Sequence, residues 1–282
     1  MNQDIKQWIG STLQSDDMIA TERAFALWAT LNTGEPAPEE GAHLPPLWHW
    51  IYFWIIGLRS ELGRDGHSEL GGFLPALGEV RRMWAGSRVI FHRPLILGES
   101  AHRRITITDI SAKKGRSGAL TFVTLRHEIS AADGLAITED QDLVYREMPK
   151  LISDTSPQMY QPAPEGGDRV EQWNGDPVLL FRYSALTFNS HRIHYDAPYA
   201  DGLEGYPGLV VHGPLIATLM ASAAMRHREG IAPTTFSFRA QQPIFADHSF
   251  TVHVADHGNA SEIWVRNQDG NYAFTGTAGW PS

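Results

Sequence analysis

The stretch from Tyr183 to Leu215 (YSALTFNSHRIHYDAPYADGLEGYPGLVVHGPL) gathers His191, His194, His212, Asn189, Asp196 and Tyr195 ahead of a long apolar run. Imidazole exchanges protons near neutrality, which suits acid–base work on a substrate. Gly213 and Pro214 open the run, and proline is well placed in a first helical turn. The first amides of such a helix lack internal partners and sit at its positive end. They can hold an oxygen that gathers negative charge. The histidines are the candidates for proton exchange and the Gly213 amide the candidate oxyanion donor.

The neighbours are less specific. His191 fits a site wall or plain loop packing, and His212 can pack or cap the helix as readily as touch substrate. Asn189 cannot take a proton, so it suits orienting water or hydrogen-bonding substrate. Asp196, two residues beyond His194, returns to the same side if the segment is extended. It either restores a carboxylate or anchors the loop. His191-x-x-His194-x-Asp196 offers metal-ligand types, but the spacing matches no metal motif and no metal is expected. Tyr183, Tyr195 and Trp264 read as core or rim aromatics.

The elements that must position these groups recur in two halves. Residues 12–33 read as an amphipathic helix with Ala20, Ala24, Leu27, Trp28 and Leu31 on one face, capped by Thr12 or by Ser15-Asp16-Asp17. A buried apolar helix is predicted over 44–59, too short to cross a bilayer. Strands follow at Arg88–Phe91, Ala101–Asp109, Ala119–Ile129 and Ile137–Tyr145. Residues 149–170 hold four prolines and the pair Gly166-Gly167, a linker composition. Beyond it come a strand at Val178–Leu186, a short helix near 197–204 and a long helix over 213–228. Strands then recur at 235–242, 249–255, 261–267 and 271–279. Arg93-Pro94-Leu95-Ile96-Leu97-Gly98 and Gln242-Pro243-Ile244-Phe245-Ala246-Asp247 each precede a strand, and Asp133-Gly134 and Asp269-Gly270 each read as a tight turn. The pattern is a degenerate duplication, each half a long helix buried against an antiparallel sheet.

Composition narrows the function classes. The 282 residues carry 32 Asp plus Glu against 23 Lys plus Arg, a formal charge of −9, which argues against a general nucleic-acid binder. There is no cysteine, so disulfides, thiolate nucleophiles and Cys-ligated zinc are excluded. No signal peptide is visible, and a cytoplasmic location is expected. Neither G-x-G-x-x-G after a strand nor G-x-x-x-x-G-K-[ST] occurs, so no nucleotide cofactor is expected.

Asn189-Ser190-His191-Arg192-Ile193-His194 and Val211-His212-Gly213-Pro214-Leu215 resemble the motifs of the MaoC-like hydratases and type 2 3-hydroxyacyl-thioester dehydratases. In that family a D-x-N-P-x-H pattern precedes a His-Gly helix start. His194 matches the family's catalytic histidine, His191 replaces its Asn, Arg192 its Pro, and Asn189 stands where the Asp would be. Arg81-Arg82-Met83-Trp84-Ala85-Gly86 resembles the degenerate first repeat of that branch. The resemblance implies an α+β double hotdog. Residues 1–150 would form a degenerate substrate-binding repeat, 151–170 a linker, and 171–282 the catalytic repeat. It also implies hydration of an enoyl-CoA without a cofactor beyond the CoA of the substrate, and leaves both a monomer and a homo-oligomer open.

Residues 79–116 carry nine basic residues against three acidic ones. Lys113, Lys114 and Arg116 suit CoA phosphates or a solvated face. Arg81 or Arg82, beside Trp84, suits a second carboxylate on the acyl group, because guanidinium binds carboxylate in a bidentate manner. Within the resembling branch, dicarboxyl thioesters are therefore favoured: itaconyl-CoA, hydrated to citramalyl-CoA, or mesaconyl-CoA. The rivals are a fatty-acyl dehydratase, a thioesterase and a non-catalytic acyl-CoA-binding protein. No membrane role is expected.

Overall fold

The computed structural model describes residues 3–78, 80–115, 118–147 and 160–281. A single antiparallel sheet of ten strands runs through both halves in the order β1-β3-β4-β5-β2-β7-β10-β9-β8-β6. The first half contributes β1 (Thr12–Met18), β2 (Val80–Phe91), β3 (Ser100–Gly115), β4 (Gly118–Ala131) and β5 (Gly134–Glu147). The second contributes β6 (Arg169–Asn174), β7 (Thr235–Ala240), β8 (Ser249–His257), β9 (Ala260–Arg266) and β10 (Tyr272–Gly279). The halves meet where β2 pairs β7, with Gly86 opposite Arg239 and Ile90 opposite Thr235. A side chain at Gly86 would overlap the Phe238 backbone, so only glycine lets the strands close there.

The α-helices among the described residues are α1 (Thr21–Leu31), α2 (Pro177–Leu186), α3 (Ala197–Gly202) and α4 (Gly213–His227). Helix α4 is buried from Leu215 to Ala224. It packs on Phe236, Val252, Val254, Ile263, Phe274 and Ala278 of the curved sheet. Each fully buried Leu, Ile or Met here contributes about 1.5–3 kcal/mol. This is the helix-in-sheet unit expected of a hotdog.

The duplication is visible in hydrogen bonds. Leu44 N and Leu97 N bond Leu95 O and Ala42 O, as Val211 N and Ala246 N bond Ile244 O and Leu209 O. Gly98 and Asp247 both take left-handed backbone (φ 94° and 64°) just before β3 and β8. The position matching His212 is thus Pro45.

The two halves then diverge. The apolar segment 44–59 is not a helix but a single 3-10 turn, Trp48–Ile51, with a second at Arg59–Glu61. Leu47 (φ 68°) and Phe53 (φ 57°) adopt left-handed backbone on either side of the first turn, which breaks the helical ladder. Two of the segment's three indole N–H groups bond across the fold instead: Trp50 donates to Glu139 and Trp54 to the Leu186 carbonyl. The first repeat therefore lacks the central helix of the second.

Three further expectations need correction. The predicted helix over 12–33 is two elements: edge strand β1, whose residues alternate in exposure, and α1, which begins at Thr21 without a side-chain cap. Val178–Leu186 is helix α2, capped by Asp176, whose carboxylate accepts from Val178 N and Leu179 N. The segment 151–170 already contains the start of β6, and Pro162 bridges Asn271; residues 151–159 lie outside the described ones. Helix α4, the short helix α3 and the remaining strands form where expected, most of the strands running further than the sequence signals.

Candidate active site

A cavity of about 1230 Å³ opens between the two repeats. His191, His194, Asn189, Gly213 and Pro214 line it from the second repeat. Arg82, Trp84, Arg103, His67 and Leu74 line it from the first. Segment 44–59, which has a 3-10 turn where the second repeat has α4, contributes His49, Trp50, Ile55 and Gly57 to the lining.

His194 is buried, and its Nδ1 lies 2.7 Å from the Val210 carbonyl. A carbonyl only accepts, so Nδ1 carries the proton and Nε2 of the neutral ring keeps its lone pair. Burial pushes the His194 pKa down to about 4, against the pull of the Val210 bond, so the ring is neutral at pH 7. It stacks on His212, whose Nε2 pairs with Ser184 Oγ at 2.8 Å. His212 is the residue before α4, which begins at Gly213 with Pro214 next. Burial, with His194 and His191 nearby, holds His212 well below the ordinary histidine value. A neutral imidazole beside a positive helix end is the combination that proton exchange at an enolate requires.

Asn189 spends its side-chain oxygen on the His191 amide at 3.0 Å, which fixes the loop. Asp196 caps α3 through Tyr199 N and pairs with Arg192, so it anchors the loop and does not join His191 and His194 around a metal.

Arg81 and Arg82 separate. Arg81 Nε lies 2.5 Å from Glu204 Oε2, an ion pair almost closed to solvent, so its charge is already matched. Arg82 makes no ion pair among the described residues and lies close enough to His67, His191 and Tyr145 to bear on their protonation. Trp84 stands edge-on to Trp50 with its N–H on the Gly86 carbonyl and Ser87. The basic run 79–116 is not one patch. Strand alternation scatters it: Arg88 pairs with Asp142, Arg93 with Asp133 and Arg104 with Glu128. Lys113 is exposed over Phe122 and away from the cavity lining. The Lys114 side chain and Arg116 lie outside the described residues.

Two groups escape a reading of motifs. Arg103 projects into the cavity and donates to Phe53 O at 2.6 Å, while its buried Nε has no hydrogen-bond partner. Burial lowers its pKa to about 10, opposed by Glu139. The other is a small hairpin, Leu62–Ser68, that crosses from the first repeat to the second. Arg192 N donates to Asp65 O, Ser190 Oγ to Gly66 O and the Arg192 guanidinium to Arg64 O. Its tip places Asp65 and His67 against His191. Oδ2 of Asp65 is 2.9 Å from His67 Nδ1, and the His67 and His191 rings are 4.2 Å apart. The only sequence signal was Asp65-Gly66-His67, which looks like any turn.

Comparison with known proteins follows the same line. The model of the hydroxyacyl-thioester dehydratase type 2 family matches residues 47–246. The chain belongs to this family. It is an enzyme of the hydro-lyase class, and its relatives act on thioesters. It is 44% identical over 270 residues to the mesaconyl-C(4)-CoA hydratase of Chloroflexus aurantiacus, covering 96% of this chain and 95% of that one. It is 29% identical to the mitochondrial hydroxyacyl-thioester dehydratase type 2 of Schizosaccharomyces pombe over 79% of this chain and 80% of that one. A MaoC-like dehydratase superposes over 98% of this chain and 99% of its own with TM-score 0.73 at 15% identity. A Mycobacterium tuberculosis protein described as a double hotdog does so over 96% of each chain with TM-score 0.56 at 15% identity. The fold is the double hotdog. Among the described residues no helix is long and apolar enough to cross a membrane.

Proposed function

We propose that the protein adds water across the double bond of an α,β-unsaturated dicarboxyl acyl-CoA, with mesaconyl-C(4)-CoA the first substrate to test and itaconyl-CoA the second. The observation that carries this reading is Arg82, a cavity guanidinium beside the histidines with no carboxylate partner among the described residues. A substrate carboxylate supplies the missing partner. Arg103, with its unpartnered Nε, adds a second cation further along the wall. The identity to the Chloroflexus hydratase points the same way.

In this reading the thioester oxygen lies at the start of α4 and the Gly213 amide stabilises the enolate. Water gives a proton to His194 Nε2 as its oxygen bonds the β-carbon. His191 and His212 wall the site, Trp84 bounds the acyl group, and Asn189 holds the loop. No metal or organic cofactor takes part, and CoA enters only as part of the substrate. Lys113, Lys114 and Arg116 remain candidates for its phosphates. The reaction is placed in the cytoplasm.

A second reading has its own support. Leu13, Phe73, Leu74, Leu125 and Leu143 line the first-repeat side of the cavity, a surface suited to an aliphatic chain. That favours hydroxyacyl thioesters of fatty acids. Hydration in heavy-oxygen water of mesaconyl-C(4)-CoA, itaconyl-CoA and crotonyl-CoA, beside His194→Ala, decides between them. Labelled product from a dicarboxyl ester, lost in the variant, upholds the first reading. Turnover of crotonyl-CoA alone transfers the assignment to the second.

A further inference from the structure

Hydration requires two proton transfers, one off the water and one onto the α-carbon. His194 can accept the first through Nε2, but its own proton is committed to the Val210 carbonyl. Position 189, an asparagine bonded to the His191 amide, holds no exchangeable acid. The second group must come from elsewhere in the cavity.

We infer that His67 of the first repeat is the second acid–base residue of this reaction, and that Asp65 is its positioning residue. This rests on the hydratase reading above. Four imidazoles stand in ring contact in the order His67, His191, His194, His212. Their centroid separations are 4.2, 5.5 and 3.6 Å. The only carboxylate hydrogen-bonded to this row among the described residues is Asp65. Its Oδ2 takes the His67 Nδ1 proton at 2.9 Å and its Oδ1 takes the His67 amide at 3.0 Å. The carboxylate is fully engaged with one histidine, which fixes that ring and leaves its Nε2 for exchange. One nitrogen each of His67 and His191 and one Asp65 oxygen lie within 4.8 Å of one another, a gap that one small ligand atom spans.

The protons balance as follows. Water loses a proton to His194 as its oxygen bonds the β-carbon and the π pair moves to the thioester oxygen. The enolate collapses as the α-carbon takes the Nε2 proton of the His67 imidazolium. The proton held by His194 then returns to His67 through His191, which lies between them. One water has been added and the enzyme is unchanged. Asp65 favours the proton on His67 over the other three rings. The groups facing His67 are Asp65 on its own hairpin, Arg82 of β2 and His191 of the following repeat. Burial, the largest influence, and Arg82 together hold the His67 pKa below the ordinary histidine value, and Asp65 works against both.

The test is hydration kinetics on the substrate that wild type turns over best, with His67→Gln, His67→Ala and the near-isosteric Asp65→Asn. The expected result for His67→Gln is a fall in kcat of about 10²–10⁴-fold with KM little changed. Free imidazole should restore part of the activity of His67→Ala. Asp65→Asn should move the high-pH limb of kcat/KM toward lower pH, because the imidazolium loses its carboxylate; a structural role alone would not shift it. Full kcat in His67→Gln overturns the assignment while the hydratase reading stands. Wild type inactive on every thioester overturns both. Loss of activity on chelation, restored by zinc, overturns it too, making Asp65, His67 and His191 metal ligands.

Discussion

His194 and His212 stack with ring centroids 3.6 Å apart and planes 18° from parallel, one from a 3-10 turn and the other from the residue that opens α4. Two imidazolium ions cannot share that spacing in a buried site. The contact therefore requires that at least one ring be neutral, and burial keeps both so.

Acid should destabilise the protein early. His191, His194 and His212 have folded pKa values below the unfolded value near 6.5, all chiefly through burial. The unfolded chain then binds more protons, so stability is full above about pH 6.5 and falls as pH drops toward 4. The slope reaches about 1.4 kcal/mol per pH unit for each histidine. Thermal melts from pH 8 to pH 5 check this, and a flat Tm between pH 7 and 5 contradicts it.

Arg82→Gln should raise KM for a dicarboxyl thioester by about 10–100-fold, the weight of a charged hydrogen bond of about 1.5–3 kcal/mol. Crotonyl-CoA, which has no second carboxylate, should be affected far less. Equal losses on both substrates would remove Arg82 from carboxylate recognition.

Glu204→Ala leaves Arg81, whose side chain is only 13% exposed, as an unpaired cation. The expected cost is about 3–5 kcal/mol in denaturant unfolding. Replacing both partners with apolar residues of similar size should recover much of it. A single variant as stable as wild type would mean that the pair is open to water.

Gly66→Ala should cripple turnover without abolishing the fold. Gly66 has φ 90°, and a Cβ there would overlap the Ser190 carbonyl. The hairpin tip must then withdraw, taking Asp65 and His67 from His191. A loss of kcat of at least about tenfold, with an unchanged far-ultraviolet spectrum, is the expected outcome. Full activity would show that the tip has no part in turnover.

Much of the second repeat was legible because its signals are local. Ten successive buried residues identify α4, and His191, His194, His212 and Gly213 fall within one short stretch. Helix α2 was misread as a strand although Asp176-Pro177 is a helix-start signal. Segment 44–59 does not form the expected helix: apolar content alone cannot distinguish a central helix from an aromatic plug in which the Trp50 indole bonds a distant glutamate. Asp65 and His67 were invisible because the contact that gives them meaning joins residues more than 120 positions apart. Arg81 and Arg82 looked equivalent in sequence; adjacent strand residues point to opposite faces, and only one meets Glu204.

The two repeats differ at their centres: the second is filled by α4 and the first holds only the 3-10 turn Trp48–Ile51. In the proposed reading the chemistry depends on the opening turn of α4, while the far wall of the cavity is built from residues such as Leu13, Phe73, Leu74, Leu125 and Leu143. Substitutions on that wall leave the helix start untouched. In that reading, the length and polarity of the substrate can be changed at the wall without rebuilding the apparatus that moves protons.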